Sequence, residues 1–138
     1  MPRLAFDDAN LLIFSGEDRL RFIDGLSSNK IDFNSTDVIN TLVLTTKAKI
    51  MAQLHLFMLN EMLISITISG DHVKLVNYLN SKILTQQVAI NDVTTLNYID
   101  LVYGENTDTV GVTVSEGLTK VNVNGNYGFE IYSVKQTL

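Results

Sequence analysis

The chain has no cysteine. That excludes disulfides, thiolate metal sites, a cysteine nucleophile and iron–sulfur ligation by this chain. It has two histidines, His55 and His72, and no H-E-x-x-H pair, so a catalytic zinc would need carboxylates to complete its ligands. No metal is expected. A single proline and an even spread of Asn, Ser and Thr leave no linker to divide the chain. Long hydrophobic runs are missing too. The longest apolar region, Leu54 to Ile68, is broken by His55, Asn60, Glu61, Ser65 and Thr67, so no bilayer span is expected. Positive charge is scarce: ten Lys and Arg stand against fifteen acids, a formal net charge of −5. Nucleic acid would require a cationic face, so it is not an expected partner. The opening MPRLAFDDAN has one Arg and no apolar core, unlike a signal peptide. A cytoplasmic protein is the expectation.

What is present is a globular composition, 46% hydrophobic and 18% charged over 138 residues. That length suits one domain, residues 1–138, with a real core. Asn10 to Ser15, NLLIFS, reads as a strand. Ser15 or Gly16 can then cap a helix with Glu17 and Asp18 in its first turn, where the helix dipole favours acids. Leu20, Phe22, Ile23 and Leu26 give that helix an apolar side, and Ser27 to Asp37 reads as a loop. Ile39 to Thr46, Lys49 to Leu59 and Met62 to Ser69 read as three strands, with a turn at Asn60-Glu61. Their period-two alternation predicts a half-buried antiparallel sheet. The period then lengthens: Leu75, Val76, Leu79 and Ile83 form one helical stripe, with Gly70 and Asp71 at its start. Short β-prone stretches follow near Val88 to Ile90, Tyr98 to Tyr103, Val110 to Val114 and Leu118 to Val123. The last strand is expected over about Tyr127 to Val134, after a tight turn at Asn124-Gly125. The class is α+β: two main helices laid on a mainly antiparallel sheet.

Chemistry read from residues alone is sparse. There is no P-loop and no dinucleotide fingerprint. Ser-His-Asp chemistry stays open, because triads assemble in space, but no serine sits in a nucleophile elbow. Asp7-Asp8 and Glu17-Asp18 read as solvated or capping pairs. Lys47 and Lys49, two apart, would point to one side, either solvated or attracting an anion. In the closing NGNYGFEIYS, Phe129 and Ile131 share one strand face and Glu130 and Tyr132 the other. Glu130 is thereby free to meet solvent or a ligand.

The order of several segments resembles the folate-binding family of the glycine-cleavage T-protein (aminomethyltransferase) and YgfZ. LLIFSGEDRLRFIDGLSSNKI is similar to the family's opening strand and helix, with Ser28-Asn29-Lys30 at its "TND"-like turn. NTLVLTTKAKIMAQLHLFML resembles the segment with a Tyr-Thr, a leucine and two consecutive aspartates. ITISGDHVKLVNYLNSKI and YIDLVYGEN fall where the family has a strand and helix, then a further strand. NGNYGFEIYS is similar to "TGEDGFEIY", the most specific of the matches. The resemblance covers most of the chain but corresponds to the first part of a family member.

It implies tetrahydrofolate, or a pterin-like ligand, as cofactor. Glu130 would accept hydrogen bonds from the pterin, a charge-assisted planar pair. Leu44 would line the cleft, Thr41 stands at the family's threonine, and Lys47 or Lys49 would lie near the glutamate tail. The departures are equally specific. Ala52 and Gln53 stand where the family has its paired aspartates, Asn40 and Val123 where it has tyrosines, and YgfZ's cysteine signature is absent. Neither Ala52 nor Gln53 can take a proton as a carboxylate does. The resemblance therefore implies a non-catalytic relative, whose activity, if retained, would be aminomethyltransferase-like. The alternative is a scaffold that pairs with itself or with another subunit and binds no folate.

Overall fold

The computed structural model describes residues 3–5, 9–28, 30–31, 38–45, 47, 49–59, 61–67, 72–94, 97–103, 111–115, 118–123 and 127–133. Asn29, Asn60 and Asn124-Gly125, expected at turns, and Gly70 and Asp71, expected at the start of a helix, lie outside them, as does the acidic pair Asp7-Asp8.

Strand β1 (Arg3–Ala5) is short. It is followed by β2 (Asn10–Ser15), α1 (Arg19–Leu26), β3 (Ile39–Leu44), β4 (Ile50–Leu59) and β5 (Met62–Thr67). Then come α2 (His72–Ser81), β6 (Ala89–Asp92), β7 (Asn97–Tyr103), β8 (Gly111–Ser115), β9 (Leu118–Asn122) and β10 (Tyr127–Ser133). The class is α+β with antiparallel pairing throughout the described strands, and no described helix is long and apolar enough to cross a membrane.

The described strands form two five-stranded sheets rather than one. Sheet A runs β1-β7-β10-β9-β8 and sheet B runs β3-β4-β5-β2-β6. Sheet B is covered on both sides, which corrects the half-buried expectation. On one side Leu12, Phe14, Val43, Leu54, Leu56 and Leu63 pack with Phe22 and Ile23 of α1 and Leu75 and Leu79 of α2. On the other, Leu11, Phe57, Ile64 and Ile66 pack against Ile99, Val121, Phe129 and Ile131 of sheet A. The layers are therefore helices, sheet B, sheet A. The second cover explains why the face of β4 that alternation marked as mixed is buried at His55 and Phe57. Ser65 and Thr67 are buried as well, facing the helix side with Leu63, and their hydroxyls have no partner among the described residues.

Helix α1 starts later than its acids suggested. Asp18 is the N-cap but makes no side-chain cap bond, and the first turn holds no acid. The Asp18 carboxylate instead accepts the Gln87 N–H at 2.8 Å, while the Asp18 N–H donates to the Gln87 carbonyl at 3.1 Å. A long-range strap thus replaces a local cap. At the other end, the Ser27 hydroxyl donates to the Ile23 carbonyl at 2.8 Å, satisfying one of the last-turn acceptors.

Candidate functional site

Strand β10 lies between β7 and β9, opposite Asp100 on one side of Glu130 and Lys120 on the other. Phe129 and Ile131 are in the inter-sheet core. Alternation then turns Glu130 and Tyr132 to the outer face of sheet A, away from sheet B. Glu130 is half-buried there, and the Tyr132 hydroxyl donates to its Oε1 at 2.7 Å.

The other expected residues belong to sheet B. Thr41 is 3% exposed and faces the helix side with Val43. Leu44 is half-buried at the end of β3, beside a register shift, and its carbonyl accepts the Tyr78 hydroxyl of α2 at 3.1 Å. Lys47 and Lys49 flank the β3–β4 turn, where both main-chain N–H groups donate to the Thr45 hydroxyl, at 3.3 and 3.2 Å. Thr41, Leu44, Lys47 and Lys49 thus gather around one hairpin. Glu130 is not with them, since sheet layers pack about 10 Å apart and it faces outward from the second layer.

A different group of side chains is brought together between the sheets. His55 of β4 is 0% exposed, and its Nε2 lies 3.1 Å from the Tyr127 hydroxyl of β10. Asn40 of β3 donates through Nδ2 to that hydroxyl at 3.4 Å and accepts from Gln53 Nε2 at 3.1 Å. The Tyr127 oxygen thus accepts from Asn40 and pairs with His55 Nε2, as donor or acceptor according to the ring tautomer. Phe129 and Tyr127 meet the imidazole edge-on, with centroids 5.2 and 6.0 Å away. Burial lowers the His55 pKa below its ordinary 6.5. The main chain of Ile66 opposite favours the charged ring less strongly, and Nδ1 has no partner of hydrogen-bond geometry. The result is a neutral chain from exposed Gln53 and Asn40 to a buried imidazole.

No family model and no curated protein matches the sequence. A solved structure does. The glycine cleavage system aminomethyltransferase T from Bartonella henselae matches over 97% of this chain, with a TM-score of 0.76 and 12% sequence identity. The chain has a T-protein-like fold. It spans 42% of that T-protein, less than half of its length.

Within this T-protein-like fold, the substitutions marked in the sequence turn out to be neighbours. Asn40 and Gln53, standing where the resemblance places a tyrosine and an aspartate, are bonded to each other, and Ala52 is buried on the helix side. Tyr127 and His55 complete the set and were not expected to. Their signal in the sequence was faint: a histidine on an apolar strand, and a tyrosine in register with Phe129. Among the described residues no three His, Asp or Glu side chains come close enough to hold a metal.

The buried neutral imidazole has a measurable consequence. The unfolded chain binds the His55 proton at 6.5, the folded one at lower pH, so stability is complete above 6.5 and is lost as pH falls from 6.5 toward the folded value. Urea midpoints are expected to drop between pH 7.5 and pH 5 in the native chain, and less so in His55→Gln. An equal drop in both would assign the acid sensitivity to other groups.

Proposed function

We propose that the chain is a non-catalytic, T-protein-like protein that holds tetrahydrofolate, or another pterin-like ligand, through Glu130, in the cytoplasm. The observation that carries this reading is the disposition of β10. Phe129 and Ile131 anchor the strand in the core, and Glu130 stands on the opposite face, its Oε1 accepting from the Tyr132 hydroxyl. The resemblance of Gly-Phe-Glu-Ile to the family's run supports the same assignment. The absence of a carboxylate from the Gln53–Asn40–Tyr127–His55 chain supports a non-catalytic role, because amides neither take up a proton nor offset a developing ammonium. Thr41, Leu44, Lys47 and Lys49 would join only through a ligand long enough to pass the sheet edge.

Anaerobic calorimetric titration with tetrahydrofolate tests this. Saturable micromolar binding is expected, weakened about tenfold or more in Glu130→Gln by loss of one charge-assisted pair. Binding unchanged in the mutant would remove Glu130 from the site.

One observation favours a second reading. Lys120 stands directly opposite Glu130 on β9, a cross-strand pairing of opposite charges that suits a scaffold surface. In that case neither heat nor thermal shift appears with tetrahydrofolate, and the chain pairs with itself or with another subunit.

A further inference from the structure

On the helix side, away from sheet A, α1 and the segment after α2 bound an open groove of about 210 Å³, lined by Arg21, Phe22, Gly25, Leu26, Lys82 and Gln86. Arg21 and Gly25 are four apart on α1 and so share a face. The space beside Gly25 is open: a Cβ there would meet nothing within 4 Å. The Lys82 ammonium is held 5.2 Å from the centre of the Tyr78 ring. Gln86 uses its Oε1 to accept the Leu84 N–H at 2.7 Å, which leaves its amide N–H groups for the groove. No carboxylate is among the lining residues, and Asp24 of α1 is engaged with the Ile31 N–H at 3.0 Å. Two cationic residues and an amide therefore line the groove with Phe22 and Leu26, on a protein whose net charge is −5.

We infer that this groove binds a small organic anion, an apolar body carrying a carboxylate or phosphate, through Arg21 and Lys82. Arginine presents a planar fork matched to either head group, and lysine adds a point charge. The volume is below the roughly 300–1,000 Å³ of pockets for drug-sized ligands, so a single ring with one anionic group is the size expected. The inference does not depend on Glu130, which belongs to the opposite layer.

The test follows backbone amide shifts of the full ¹⁵N-labelled chain during titration with benzoate, phenyl phosphate and neutral benzamide. Either anion, or both, should move the amides of Arg21, Gly25, Leu26 and Lys82 saturably in the millimolar range, and the tighter of the two assigns the head group. Benzamide should bind about tenfold more weakly or not at all. The double variant Arg21→Gln, Lys82→Gln should weaken the anion roughly tenfold, an effect tempered by the openness of the groove. Gly25→Phe should abolish binding by filling the groove while both cations remain. Glu130→Gln should leave it unchanged, which separates this site from the proposed pterin site. Equal binding of benzamide, no saturable shift with either anion, or an unchanged affinity in the double variant would each overturn the inference.

Discussion

Phe129→Ala is expected to lower the unfolding free energy by about 3–5 kcal/mol. The ring is 1% exposed and stands in the core between the two sheets, edge-on to both His55 and Tyr127. Its removal leaves a cavity that a strand held on both sides by β7 and β9 cannot close. It also removes one of the two rings that meet His55 edge-on. Glu130→Gln, one residue along and on the outer face, should change stability by no more than about 0.5 kcal/mol. Urea denaturation of the two variants measures the difference directly. Equal effects would mean that β10 is not oriented as described, and the outward placement of Glu130 would fall with it.

Gly16→Ala is expected to cost more than about 3 kcal/mol, from two sources that act together. The backbone at Gly16 has a φ of 105°, a region that residues with a side chain rarely adopt. A Cβ there would also stand 2.0 Å from the Gln87 carbonyl oxygen and 2.7 Å from its carbon. That obstacle is main chain, so it cannot rotate away. The same approach lets Asp18 and Gln87 exchange two hydrogen bonds, and the Gly16 carbonyl accepts from Arg19 through both its main-chain N–H and Nη1. A shift large enough to admit the methyl would break this strap between the start of α1 and the segment before β6. Thermal unfolding of the variant should show the loss. A change below about 1 kcal/mol would mean that the segment at Gln87 moves freely.

Much of this architecture could be read from local pattern. NLLIFS coincides with β2, the alternation from Ile39 onward gave three strands with ends within about two residues, and the Leu75–Leu79 stripe is the buried face of α2. What stayed hidden is non-local. The division into two sheets depends on which strand pairs with which. The chain changes sheet twice, from β1 to β2, which enters between β5 and β6, and from β6 to β7. The second cover over β4 follows from that division, so alternation could not reveal it. The three-residue β1 went unnoticed because it is too short to show a period. The Asn40–Gln53–Tyr127–His55 chain joins three strands, with Tyr127 72 residues from His55. Spacing cannot find such a set. The resemblance did single out Asn40 and Gln53, as departures, without showing that they touch.

The place of β10 bears on how the chain acquires this shape as it is made. The last described strand is the middle one of its sheet, so β1 with β7 and β8 with β9 remain two separate ribbons until Tyr127–Ser133 has emerged. Sheet B and both helices, by contrast, come from the unbroken stretch between Asn10 and Asp92. On a ribosome the helix-backed layer can therefore assemble first, with Leu11, Phe57, Ile64 and Ile66 exposed to water meanwhile. The residue assigned to the pterin and the strand that seals that layer arrive together, so the proposed site does not exist before the fold is complete.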